Sequence, residues 1–204
     1  MYVQLAKRIT NAFVNKGSIK NEDYDVYAYG FQILLSSISY ALIFIFISIV
    51  TNTLLESLFF FLGFYVVRSF CGGYHASTYL RCHILFAANH LAFIVLVRIF
   101  PSSLFGITVT VLYTFCIISI LLLAPVDHKS KRFIKNEYKT FRKKSVIYSV
   151  FLILLLCLVV FGILPSNHFL LSHSIGTLSA TVSLIVAKII NYKERKKENE
   201  EVSC

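Results

Sequence analysis

Between Leu54 and Phe100 the chain reads LLESLFFFLGFYVVRSFCGGYHASTYLRCHILFAANHLAFIVLVRIF. Two apolar runs, 54–67 and 84–100, enclose a polar stretch, RSFCGGYHASTYLRCHI (68–84), which gathers two glycines, two histidines, two cysteines and two arginines into seventeen residues. A helix rises about 1.5 Å per residue, so about 20 apolar residues cross a hydrocarbon core of about 30 Å. Each run is read as a helix, because an open strand would leave its backbone polar groups unpaired in lipid. The stretch as a whole predicts two membrane helices joined by a chemically rich connector.

Four more apolar runs, 31–50, 104–125, 146–164 and 168–190, repeat the pattern. Charged residues make up only 15% of the chain, against about 25% in soluble domains. The expected fold is therefore an all-α, polytopic membrane protein with about six transmembrane helices, and soluble classes are excluded. Pro101 and Pro165 fall in tight turns between neighbouring helices, and no internal repeat is evident. Ahead of the first run, Leu5, Ile9 and Phe13 share one helical face, with Lys7 and Arg8 off it. That pattern suits an amphipathic helix on the membrane surface or one packed on the bundle. The expected organisation is an interfacial segment over 1–29, a membrane domain over 30–190 with a catalytic loop at 68–84 and a basic loop at 127–145, and a charged tail over 191–204. The polar residues before Gly30 contain no small-residue cleavage site, so a cleaved leader is not expected.

The formal charge of +10 is distributed as a topology signal. Lys7, Arg8, Lys16 and Lys20 precede the first run, Arg68 and Arg81 lie in the second connector, eight Lys/Arg lie in DHKSKRFIKNEYKTFRKK (127–144), and Lys193, Arg195, Lys196 and Lys197 close the chain. The intervening connectors TNT, PSS and PSN carry none. Positive charge marks the cytoplasmic side, so a multi-pass protein of the cell membrane with both termini cytoplasmic is expected, in contact with membrane lipids and with no nucleic acid as partner. Five scattered cysteines, 71, 82, 116, 157 and 204, form no disulfide framework.

Within the connector, His75 and Cys82 are the natural catalytic pair. A free thiol is mostly protonated at neutral pH, and a histidine that takes its proton creates the nucleophile. The two residues are seven apart, which on a straight helix is about 10 Å along the axis, whereas proton transfer needs about 3 Å. The chain must bend between them. Gly72 and Gly73 allow positive φ, and Ser77 or Thr78 can cap the following helix. His83 is a weaker base, since adjacent helical residues point about 100° apart. His90 is read as a polar packing residue and Glu56 with Arg98 as a structural pair at the other face. Asp127 is the acid on the same side able to orient His75. A zinc set of Cys71, His75, Cys82 and His83 matches no standard spacing, so no metal and no cofactor are expected. Spacing alone leaves a buried structural cysteine and a satisfied histidine open.

The combined pattern resembles the accessory gene regulator B (AgrB) family of membrane peptidases in Gram-positive quorum sensing: an arginine before the turn, Gly-Gly-x-His-Ala, and a cysteine seven after the histidine. YAYGFQILLSS, LLESLFFFLGFYVVRSF and LAPVDHKSKR are similar to the family as well, so the resemblance covers most of residues 24–132. It implies a cysteine endopeptidase that cuts the acidic C-terminal tail from a precursor signal peptide through an acyl-enzyme thioester. The precursor's own thiol or hydroxyl then closes a thiolactone or lactone. It implies Cys82 as nucleophile, His75 as base, and Arg68 as a functional arginine that anchors a carboxylate or braces the loop. Gly72 and Gly73 supply the bend, and a homodimer is the family-level expectation. The competing readings are a six-helix peptide exporter and a metal-binding membrane protein without protease activity. An exporter would carry ionisable residues through its helix interiors, whereas here they cluster in one connector.

Overall fold

The computed structural model describes residues 2–74, 79–127 and 135–202. Seven α-helices carry the chain: α1 (Tyr2–Asn15), α2 (Tyr24–Val50), α3 (Leu54–Cys71), α4 (Tyr79–Ile99), α5 (Phe105–Leu123), α6 (Lys135–Val160) and α7 (His168–Val202). The last six are long and apolar enough to cross a membrane. Among the described residues there is no strand, only one isolated parallel bridge between Gly72 and Val126. The protein is thus an all-α polytopic membrane protein. Much of the apolar surface of α2 and α5 faces outward, as with Leu42, Phe46, Val50, Ile107 and Leu122. Such faces are what a helix in lipid presents, since surrounding lipid is as apolar as leucine.

α7 is the hub. Half of its most apolar window is buried, against 17–33% for the other five spans, and it packs on α3, α4 and α5. Small and hydroxylated residues make this possible. Ser172, Ser174, Thr177, Ala180 and Thr181 are all fully buried. Ser174, Thr177 and Thr181 return their hydroxyls to carbonyls three or four residues back, so the polar groups are satisfied within the helix. Where α3 crosses α7, Gly63 lies on the His173 carbonyl and Thr177, and Gly176 lies on the Phe60 carbonyl. Each crossing glycine lets backbone meet backbone. Polar bonds between helices complete the packing: Tyr113 Oη with His173 Nδ1 (2.9 Å), Tyr148 Oη with Thr177 Oγ1 (3.2 Å) and Ser179 Oγ donating to Asn89 Oδ1 (3.1 Å).

Connectors alternate between the two ends of the bundle. At one end Arg98 of α4 donates to the Thr51 carbonyl after α2, and Phe105 meets His168 edge-on at 4.8 Å. At the other, residues 72–74 lie against 124–127 and α7. The expected pairing of Arg98 with Glu56 is not made: the guanidinium instead serves a carbonyl left free at the α2 C-terminus, a group with no partner inside its own helix.

Several boundaries differ from the apolar runs. Residues 24–29 are the first turns of α2, residues 135–145 the first turns of α6, and α7 continues through charged residues to Val202. α2, at 27 residues, is about 40 Å long, longer than a bilayer core needs. Its first half has a protein partner: α1 folds back on it, burying Ala6 and Thr10 and stacking Phe13 on Phe31 at 5.7 Å. Leu5 and Phe13, two members of the expected stripe, remain 43% exposed. α1 therefore buries its small face in protein and turns its large apolar residues outward.

Candidate active site

α3 ends at Cys71 and α4 spans Tyr79–Ile99, so α3 does not run on into α4 as one continuous rod. The helix stops because Gly72 and Gly73 take φ values of 82° and 139°, which L side chains rarely adopt. Gly72 enters the bridge to Val126, and Val126 N–H donates to the Cys71 carbonyl at 2.9 Å. A Cβ on Gly72 would strike the Val126 carbonyl, and one on Gly73 would lie 2.6 Å from Arg68 Nη1 and 3.0 Å from Ser183 Oγ. Gly72 is thus required by close approach to backbone as well as by conformation, and Gly73 by its conformation, its near neighbours being side-chain tips that can shift.

Arg68 and Ser183 hold the next residue from two sides. Tyr74 N–H donates to the Ser183 carbonyl and to its Oγ, each at 3.1 Å. Arg68 Nη2 donates to the Tyr74 carbonyl at 2.6 Å. The same guanidinium is within electrostatic reach of the Cys82 thiol and the Tyr40 hydroxyl. Arg68 therefore braces the chain immediately before His75 while its charge stays within electrostatic reach of Cys82. His75 itself, with Ser77 and Thr78, lies outside the described residues.

This brace carries a direct expectation. Arg68→Ala removes a charged donor from the Tyr74 carbonyl, a hydrogen bond worth about 1.5–3 kcal/mol. The Tyr74 amide should then exchange with deuterium at least about tenfold faster in detergent-solubilised protein, while amides in the α3–α7 crossing keep their wild-type rates. Unchanged exchange at Tyr74 would show that the bend stands without Arg68.

Cys82 lies in the first turn of α4, half-buried and not in a disulfide. Next to it, His83 stacks with Tyr40 of α2 (centroids 3.9 Å apart, planes within 4°) and with Tyr2 of α1 (5.6 Å). That places the α1 N-terminus against the site. His90, two turns deeper, is fully buried, bonds Ser57 Oγ through Nε2 at 2.9 Å and stacks on Phe44 at 4.6 Å. It is a packing residue. Cys71 is fully buried at the end of α3, with the Ser145 hydroxyl and Arg142 of α6 as neighbours. Among the described residues no three His, Cys, Asp or Glu side chains cluster as metal ligands would.

Asp127 follows the bridge residue Val126. Its carbonyl accepts from Asn191 Nδ2 at 2.8 Å, and it lines a cavity of about 350 Å³ with Lys188, Tyr192 and Arg195. Its described surroundings are thus the basic wall of α7. Arg142, one of the eight cations of 127–144, donates to the Ala124 and Leu121 carbonyls at 2.5 and 2.7 Å, closing the C-terminus of α5 as basic residues commonly do. The residues that sequence reasoning missed are Tyr40, Ser183 and Arg142. A tyrosine inside an apolar run was the one available signal, since a buried phenol needs a partner.

The chain matches the accessory gene regulator B family over residues 6–190. An AgrB-like protein of Listeria welshimeri is 25% identical over 153 residues, covering 74% of each chain. AgrB-like proteins of two Listeria monocytogenes strains are 27% identical over 157 residues, again covering 74% of each. No solved structure matches. With the family match spanning almost the whole membrane domain, including the bend and Cys82, the chain belongs to the accessory gene regulator B family.

Proposed function

We propose that the protein is a membrane cysteine endopeptidase that matures a quorum-sensing precursor peptide, with Cys82 as nucleophile and His75 as general base. The observation that carries this reading is the position of Arg68: it holds the carbonyl of Tyr74, the residue before His75, and lies within electrostatic reach of Cys82. Holding the residue before His75 beside α7, with the guanidinium within reach of Cys82, supports a role for the connector in the reaction. Family membership supports the involvement in peptide processing.

In this mechanism His75 accepts the thiol proton, and the Cys82 sulfur attacks the carbonyl joining the precursor core to its acidic tail. The tetrahedral intermediate collapses as His75 returns the proton to the tail's amino group. The tail leaves, and a thioester to Cys82 remains. The precursor's own thiol or hydroxyl, deprotonated by the same imidazole, attacks that thioester, and the Cys82 thiolate departs and is reprotonated. Holding the precursor at the membrane surface raises the effective concentration of its internal nucleophile over water, which favours ring closure over hydrolysis. The positive-inside charge pattern supports a cytoplasmic site, on the side where new peptide is made.

The test is reconstitution in liposomes with a short precursor peptide from the same organism that has an amphipathic start, one internal cysteine or serine and an acidic end, sought first among reading frames neighbouring this one. Tail release with a hydroxylamine-labile adduct on Cys82 is the expected result. Intact peptide after many hours, with correctly inserted protein, would overturn the reading.

A further inference from the structure

Tyr40 stands in an otherwise apolar segment of α2, SISYALIFIF. Its ring lies flat on His83 and meets Phe86 edge-on at 5.4 Å, with planes at 89°. Cys82, His83 and Phe86 occupy one turn of α4, so the two ring contacts fix the phenol against that turn. Tyr2 also stacks on His83, at 5.6 Å, and ties α1 to the arrangement. The Tyr40 hydroxyl is buried, and no partner among the described residues meets it in hydrogen-bond geometry. Its polar neighbours include the Cys82 thiol and the Arg68 guanidinium. Phenol and thiol are thus close enough to interact, short of the geometry of a full hydrogen bond.

A buried hydroxyl left unpaired costs free energy, and phenylalanine would fill the same place without that cost. The hydroxyl is accounted for if the sulfur becomes a better acceptor during the reaction. A neutral thiol accepts weakly, whereas bonds to an ionised acceptor are shorter and about twice as strong. An interaction that strengthens only as charge develops lowers the barrier instead of merely tightening the resting state.

We propose that Tyr40 is a catalytic residue of this site, its hydroxyl donating a hydrogen bond to the Cys82 sulfur as the thiolate forms, with Arg68 adding charge from α3. The inference rests on the reading of Cys82 as nucleophile and adds a third member to the site from a helix that the motif does not include.

Tyr40→Phe keeps the ring and removes only the oxygen. Purified wild-type and variant protein are treated with iodoacetamide at one pH, and modification of Cys82 is followed by mass spectrometry, with Cys204 in the same digest as internal reference. Cys82 should be alkylated about tenfold more slowly in the variant, the scale of one hydrogen bond to a charged group, with Cys204 unchanged. Single-turnover cleavage of precursor should fall by a similar factor. Tyr148→Phe removes another buried phenol hydroxyl, one bonded to Thr177, and should leave Cys82 alkylation at the wild-type rate. Wild-type alkylation in Tyr40→Phe overturns the proposal, as does an equal slowing in Tyr148→Phe, which would trace the effect to general loosening. Alkylation needs no precursor. Slowed labelling beside a wild-type protein that cleaves nothing therefore sustains the Tyr40–Cys82 contact and removes the peptidase reading instead.

Discussion

Cys82→Ala should lose precursor cleavage by a factor of about a thousand or more, the scale seen when a nucleophile is deleted from a catalytic unit. Cys71→Ala should retain most activity. The contrast follows from surroundings, since both are thiols within the same connector motif. Cys71 is fully buried at the end of α3 beside Ser145, where no substrate carbonyl can arrive. Its replacement removes one buried sulfur, at a cost of about 1–2 kcal/mol in packing. Cys82 is half-buried in the first turn of α4, across from Arg68 and Tyr40. His75→Ala should match Cys82→Ala, because a nucleophile and its base fail together. Tail release measured by mass spectrometry in liposomes separates the outcomes. Full cleavage by Cys82→Ala removes the acyl-enzyme mechanism, and loss in Cys71→Ala restores a role for a second thiol or a metal.

The six spans were legible because length and apolar composition suffice to identify a membrane helix. The break after α3 was legible because paired glycines readily take positive φ, whereas the bend expected between His75 and Cys82 falls on residues outside the described ones. Helix ends were less so. The second apolar run stops at 67 by composition, yet α3 continues to Cys71, since Arg68 spends its charge on the Tyr74 carbonyl instead of ending the helix. The early start of α2 was hidden because residues 24–29 read as a polar lead-in, and only α1 packing back on that half gives it a protein partner. The Glu56–Arg98 pair failed because a sequence shows opposite charges but not the unpaired carbonyl at Thr51 that competes for the arginine. The largest omission was α7. Serines and threonines scattered through 172–183 look generic one by one. Their significance lies in sharing buried faces of one helix against α3, α4 and α5, and in Ser183 supplying both acceptors for the Tyr74 amide. Tyr40 belongs to the same class: its contact is with a helix some forty residues on, beyond any local pattern.

Because the site is assembled on the α3–α7 crossing, the largest structural effect is expected there. A Cβ at Gly176 would fall on the Phe60 carbonyl, a backbone atom that no rotamer change can move. Gly176→Leu must push the two helices apart. That separation would break the adjoining contacts of Gly63 with the His173 carbonyl and Thr177 and carry Ser183 away from Tyr74. Overpacking usually costs about 1–3 kcal/mol and sometimes more; here the obstacle is backbone on both sides, so about 3 kcal/mol or more is expected. For a chain of this size that corresponds to a fall of about 10 °C in the unfolding midpoint. Gly30→Leu is the matched control: Gly30 is also helical, and nothing lies within 4 Å of a Cβ built there. Its replacement should be neutral or gain up to about 1 kcal/mol from helix propensity. The chain has no tryptophan, so circular dichroism in detergent is the suitable probe. Equal midpoints for the two variants would mean that α3 and α7 do not meet at these glycines, and the hold of Ser183 on the Tyr74 amide would then lose its support.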